Sequence, residues 1–254
     1  MAVRALPRRL RHGEEATLVE HLGELRSRLV ISLLTLATTF GVAFAFHERL
    51  IRWLLRPLPA DKQNDIITIG VTEPFLTAIK VSLYAALALS LPVILWQLWS
   101  FLAPALEEGS QRAIAGFVAL GTALFGGGLA FAYWIALPRA LDFLTNYDAE
   151  LYTQQIRASY YYSFATLVLV GIGICFELPI FILALVRIGI LTPGKLRRNR
   201  RIGYVLVLVL AIILPTVDPV SLLFEAIPLA VLFEGSIWLS VFLDRRWHPG
   251  GDEA

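Results

Sequence analysis

Ionisable side chains are sparse in this chain, and their placement decides what chemistry is open to it. Near the amino terminus, His21, Leu22, Gly23, Glu24, Leu25, Arg26, Ser27 and Arg28 set acids and bases side by side, with Glu24 and Arg28 at i,i+4 spacing. A carboxylate there can accept hydrogen bonds from a cationic ligand, or it can simply be solvated on the polar face of an interfacial helix. A second acidic setting follows Phe101, Leu102, Ala103 and Pro104, where Glu107 and Glu108 precede Ser110 and Arg112. Those acids can face a basic ligand or favour the start of the next helix, where negative charge complements the dipole. The third setting is apolar: Lys80, Glu177, Glu225 and Glu234 lie within long hydrophobic runs. An ionised group at mid-helix costs about 2.5 to 3.5 kcal/mol on insertion scales. Glu177, in the run Phe176, Glu177, Leu178, Pro179, must therefore face a polar cavity, be paired or be protonated.

None of these groups is arranged as a catalytic centre. The four histidines, His12, His21, His47 and His248, all lie outside the long apolar runs, and no HExxH spacing occurs. That removes a membrane-embedded serine–histidine protease and argues against a metal site. Asp142 and Asp218 sit at the ends of apolar runs, so no intramembrane aspartyl dyad forms. No Gly-Lys-Ser or Gly-Lys-Thr marks a phosphate loop, and the single cysteine, Cys175, permits neither an intrachain disulfide nor a thiolate zinc cage. The expectation is a protein that is not an enzyme and needs no cofactor.

The elements that must position these residues are membrane helices. Of 254 residues, 57% are hydrophobic and 17% charged, with a mean hydropathy of +0.68. Soluble domains run nearer to about 25% charged. Six apolar runs predict spans at about Leu29 to Phe46, Phe75 to Trp99, Ala113 to Leu137, Ser163 to Ile190, Ile202 to Thr216 and Ser221 to Leu243. The fold class is thus all-α and polytopic. The fifth run offers only some fifteen residues, about 22 Å of helix, before Asp218 and Pro219 turn the chain. Mismatch of that size is relieved by tilt, by protein contacts or by a locally thinned bilayer. Thr192 is placed to cap a short helix starting at Pro193, Pro138 is placed to end the third span, and Pro92, Pro179 and Pro228 should bend theirs.

Lys and Arg are unevenly shared between the two sides, about 15 on the side of the termini and about six on the other, which predicts both ends in the cytoplasm. The net charge of +2, with cations dispersed or at span ends, gives no nucleic-acid-binding face. The chain divides into a cytoplasmic segment, 1–28, carrying an amphipathic helix with Thr17 and Glu20 at capping-box spacing; a membrane domain, 29–243; and a cytoplasmic tail, 244–254, without a packing pattern. The first and last three spans match neither in length nor in proline placement, which weakens an inverted-repeat transporter. A proton-coupled secondary transporter or channel that uses Glu177, and a purely structural scaffold, stay open on these grounds.

The order of local motifs is more specific than any one of them. His21 to Arg28; Pro57 and Leu58; Glu73, Pro74 and Phe75; Leu91 and Pro92; Phe101 to Leu106; Phe131, Ala132, Tyr133 and Pro138; Phe176 to Pro179; Leu191, Thr192 and Pro193; Asp218 and Pro219; and Ile227, Pro228, Phe233 and Glu234 together resemble the TatC family, from about Leu18 to Leu243. The resemblance implies a six-span, glove-like concave receptor subunit of the twin-arginine translocase, with short fifth and sixth spans, in a bacterial inner membrane. It implies binding of twin-arginine signal peptides at the cytoplasmic face, assembly with single-span TatA and TatB subunits, self-association, and export of folded proteins driven by the proton-motive force.

By the same resemblance, Glu24 matches the acidic receptor position, Arg26 its basic neighbour and Phe101 an aromatic of the receptor loop. The family's second receptor glutamate falls where this chain has Ser110, a neutral hydroxyl, so Glu107 or Glu108 is expected to substitute. Glu177 matches the intramembrane acid, which is expected at a polar path or partner contact. Asp218 and Pro219 match the tight outer turn, and Pro57 an outer-face proline read as structural.

Overall fold

The computed structural model describes residues 18–102, 111–151, 154–214 and 219–247. Glu107, Glu108, Ser110 and Asp218 lie outside the described residues, as does Thr17 of the expected capping box. Of Pro219, only its place as the first residue of the last helix is described.

The expected interfacial helix and first span are one continuous helix, α1, Leu18–Ala45. Its hydroxyls would be costly against lipid, and the helix satisfies them itself. Ser32, Thr35 and Thr38 each donate to the carbonyl four residues back, at 2.8 to 3.0 Å. A short helix, α2 (His47–Leu55), follows and ends in a turn at Arg56 and Pro57 that buries Leu58 in the core. Two tyrosines satisfy carbonyls of its last turn: Tyr133 donates to Trp53 O at 3.0 Å and Tyr161 to Leu54 O at 2.6 Å. Pro57 lies in this turn, directly after the helix.

Helix α3 (Glu73–Leu102) runs unbroken through Pro92 and lies antiparallel to α1. His21 stacks on Phe101 at one end of the pair, Thr39 Oγ1 donates to Ala86 O at 3.2 Å midway, and Phe44 meets Phe75 edge-on at the other end. Helix α4 (Gln111–Phe131) continues through a π turn, Ala132–Ala136, into α5 (Leu137–Asn146). Pro138 therefore does not end the third span. The wider turn ahead of it accommodates the missing N–H and aims Tyr133 at Trp53, whose rings stack at 4.0 Å.

Helices α6 (Ala158–Cys175) and α7 (Leu178–Arg187) are two halves of one span interrupted at Phe176 and Glu177, just before Pro179. Thr192 caps α8 (Pro193–Arg198) by accepting from the Lys195 amide at 3.3 Å. Helix α9 (Arg200–Ile213) has 14 residues, and α10 (Pro219–Trp247) has 29 and passes through Pro228 without a break. The shortness expected of the last two spans is confined to α9. Helix α10 carries an apolar stretch of 23 residues, Ser221–Leu243, enough to cross a bilayer.

Five helical stretches are long and apolar enough to cross a membrane by length and composition: His21–Ala45, Glu73–Leu102, Ile114–Asn146, Ala158–Arg187 and Ser221–Leu243. Helix α9, about 21 Å long, buries Val207 and Ala211 and leaves Val205, Leu208 and Ile212 exposed. One feature departs from the all-α expectation. Ile66–Ile67 (β1) and Ile156–Arg157 (β2) pair in parallel, with Ile66 opposite Ile156. The apolar interior falls into two clusters. One joins α2, the π turn, α5, α6, α9 and α10 around Leu137, Val168 and Ile237; the other joins α3, α4 and α7 around Leu95, Trp99, Phe117 and Ile180.

Candidate functional site

The polar side chains gather in four places along the helices. At the end where α1 begins and α3 finishes, His21 and Phe101 stack with ring centroids 4.3 Å apart. Glu24 is three residues beyond His21 and Arg28 four beyond Glu24, so all three share one helix face. Glu24 is 29% exposed, and its Oε1 accepts both from Arg28 Nε at 3.1 Å and from Arg28 Nη2. Among the described residues nothing bonds its second oxygen, Oε2. Arg26 is exposed and, two residues from Glu24, points from another face. The structure therefore brings Glu24 and Phe101 to one end of the α1/α3 pair and leaves Arg26 apart from them.

At mid-span, Glu177 occupies the break between α6 and α7. It is 3% exposed, and neither carboxylate oxygen has a hydrogen-bond partner among the described residues. Its backbone carbonyl accepts from Ile180 and Phe181, which starts α7. The room for its side chain comes from Gly121 of α4, where an added Cβ would lie 2.9 Å from Glu177 Oε2 and 2.9 Å from a Leu95 methyl. Gly121 is a positioning residue that the sequence reading passed over, because one glycine within a glycine-containing apolar run carries no distinguishing pattern.

Glu234 is resolved differently from Glu177. It accepts from Tyr204 Oη at 2.6 Å and pairs with Arg200 Nη2 at 3.3 Å, which ties α10 to α9. Gly203 sits against the same joint: a Cβ there would lie 2.0 Å from Phe233 Cζ, so only glycine lets that ring cross α9. Glu225 is also buried, while Lys80 is exposed on α3.

At the opposite end of α3, Glu73 forms a junction that the sequence reading saw only as part of a helix start. Its Oε2 accepts from the amides of Ile69 and Gly70 at 3.0 and 3.2 Å, and its Oε1 from Arg157 Nε and the Ser159 amide, both at 3.0 Å. The side chain is 4% exposed. The hydrogen bond to this carboxylate holds the Arg157 guanidinium above its ordinary pKa. The partners are 84 and 86 residues away in sequence, beyond the reach of any local pattern. Among the described residues no group of three or more His, Cys, Asp or Glu side chains is placed to hold a metal ion.

Known proteins are similar to this chain in sequence and in fold. The family model described as "Sec-independent protein translocase protein (TatC)" matches residues 20–228. The Sec-independent protein translocase protein TatC of Aquifex aeolicus is 38% identical over 233 residues, covering 90% of this chain and 96% of that protein. TatCd of Bacillus subtilis is 32% identical over 233 residues, covering 92% and 95% respectively. A crystal structure of the twin-arginine translocase receptor TatC in the detergent DDM superposes with a TM-score of 0.77 at 36% identity, covering 87% of this chain and 99% of that one. With the family match spanning α1 to mid-α10 and relatives aligned along most of their length, the chain belongs to the TatC family, as a multi-pass membrane component of the Sec-independent protein translocase rather than an enzyme.

Proposed function

We propose that the end of the molecule carrying Glu24 and Phe101 faces the cytoplasm and docks the twin-arginine signal peptides of folded precursors. The observation that carries this reading is the His21–Phe101 stack with Glu24 on the same helix face. It joins the amino-terminal segment to the end of α3, the element that precedes Glu107 and Glu108 in the sequence. The chemistry follows from hydrogen-bond geometry. A guanidinium presents planar donors that match a carboxylate, and such charge-assisted bonds are roughly twice as strong as neutral ones. Arg28 engages one Glu24 oxygen and leaves the other to an incoming arginine. Glu107 or Glu108 supplies the second carboxylate where Ser110 stands, and Arg26, on another face, steers rather than grips.

Topologically, this reading has six spans with α9 as a short fifth, both termini inside, and a concave membrane face. It divides the chain into a cytoplasmic segment 1–28, a membrane domain 29–243 and a cytoplasmic tail 244–254, in a bacterial inner membrane. Glu177 is the contact for a polar group of a single-span TatA or TatB subunit. A buried carboxylate with no donor among the described residues is costly, and a partner that supplies one gains that interaction on assembly. Asp218 and Pro219 form the outer turn between the last two spans, subunits self-associate, and the proton-motive force drives transport.

Photo-crosslinking of an Arg-Arg signal peptide, compared with its Lys-Lys counterpart, tests the reading. Crosslinks from the Arg-Arg peptide to positions 22–28 and 101–110 support it, and equal crosslinking by both peptides rejects it. Within the patch, intact precursor binding by Glu107→Lys with Glu108→Lys, where Glu24→Lys abolishes it, rejects the substitution for Ser110 alone.

A further inference from the structure

The Glu73 end of α3 holds a second feature, unconnected with the docking of signal peptides. Glu73, Leu76, Thr77 and Lys80 recur at i, i+3, i+4 and i+7, so they form one stripe along the first two turns of the helix. Together with Arg157, Ser159 and Tyr160 at the start of α6, the stripe encloses a cavity of about 300 Å³. We infer that this cavity binds the phosphate headgroup of a membrane phospholipid, with Lys80 as the principal cation.

Charge is the first support. Glu73 and Arg157 neutralise one another, and all four donors around Glu73 belong to the protein. That leaves Lys80 as the uncompensated charge of the lining, with no ion pair among the described residues. An independent support is Thr77. It lines the cavity, is 4% exposed, and its hydroxyl has no hydrogen-bond partner among the described residues. Buried hydroxyls are normally satisfied, and rotation of this side chain toward an oxygen-rich anion in the cavity would give it an acceptor. Arg157 offers further donors, since only its Nε is committed to Glu73, and its guanidinium lies 5.2 Å over the Tyr160 ring.

Depth identifies the source of the phosphate as lipid. Lys80 lies seven residues into the span, about 10 Å along the axis, between the exposed apolar side chains of Leu76 and Leu83 on the same flank. The flank that carries Lys80 is therefore apolar on both sides of it and turned toward acyl chains. A lysine stem laid along apolar surface carries its ammonium toward the interface, where lipid phosphates reside.

Native mass spectrometry of the full chain in detergent tests the site, with phosphatidylglycerol, diacylglycerol of the same acyl chains, and inorganic phosphate as probes. Wild-type protein should retain one more phosphatidylglycerol than Lys80→Gln, whose apparent Kd should rise roughly tenfold. Thr77→Val should weaken retention roughly fivefold, Lys80→Arg should restore it, and Lys62→Gln, at another place on the same end, should leave it unchanged. Equal retention by wild type and Lys80→Gln, or equal retention of diacylglycerol, overturns the inference. Saturation of the site by millimolar inorganic phosphate without lipid overturns the assignment to lipid.

Discussion

Glu73 and Glu24 stand at opposite ends of the α1/α3 pair, and the protein holds them in opposite ways. Glu73 accepts from four donors contributed by two separate segments and is almost wholly enclosed. Among the described residues, Glu24 is bonded only within its own helix, through one side-chain oxygen, at the molecule's edge. A carboxylate whose acceptor sites are taken by the chain works as a joint. One with an oxygen to spare is available to a donor from outside. Glu177 is a third case, enclosed like Glu73 but without donors among the described residues, and the proposed function makes it the place where assembly has most to offer.

The comparison breaks most visibly if Glu73 is not a joint. Glu73→Ala removes four acceptor contacts and leaves Arg157 without its partner, so thermal unfolding in detergent should fall by several degrees, more than for any other single change considered. An unchanged Tm would show that the junction is incidental. Glu24→Ala should do the reverse. Tm should hold, while affinity for a twin-arginine peptide falls by about 2 kcal/mol, roughly thirtyfold in Kd, as read by fluorescence anisotropy. Tyr161→Phe sharpens the structural side, because it deletes one buried hydrogen bond to Leu54 O and should cost about 1 kcal/mol of stability with peptide binding intact. Last comes Glu48→Ala, which removes an ion pair whose side chains are 76% and 70% exposed. Neither stability nor binding should change measurably, and any larger loss would mean that exposed pairs matter here more than solvent screening allows.

Much of the architecture was legible beforehand because membrane helices are written in local composition. The six apolar runs correspond to α1, α3, the α4–α5 stretch, the α6–α7 stretch, α9 and α10, and the shortness of the fifth follows from Asp218 and Pro219. Thr192 was legible as a cap for the same local reason. Four features were not. The π turn at 132–136 depends on how Tyr133 reaches Trp53, and strands of two residues carry no periodicity to detect. Pro138 looked like a terminator because proline removes a donor, yet the wider turn preceding it lets the helix continue to Asn146. The sixth span was expected to be short, as the partner of the fifth in a tight hairpin and by resemblance, and its apolar stretch is 23 residues.

Site residues divide along the same line. Glu24 and Glu177 announced themselves by charge in unusual company, one beside basic residues and the other inside a hydrophobic run. Gly121, Gly203 and the Glu73–Arg157 pair did not, since each matters through a neighbour supplied by a distant segment. Burial of Glu73 and its four donors becomes visible only when the starts of α3 and α6 are brought together.

The most direct test concerns the acidic patch as a unit. Binding of a twin-arginine signal peptide and of its Lys-Lys counterpart should be compared for the wild-type chain and for the triple variant Glu24→Gln, Glu107→Gln, Glu108→Gln, reconstituted in membranes. The expected result is a strong preference for Arg-Arg in the wild type that collapses in the variant, while the folded protein is retained. A preference that persists undiminished after all three carboxylates are neutralised would contradict the assignment of the receptor site to this end of the molecule.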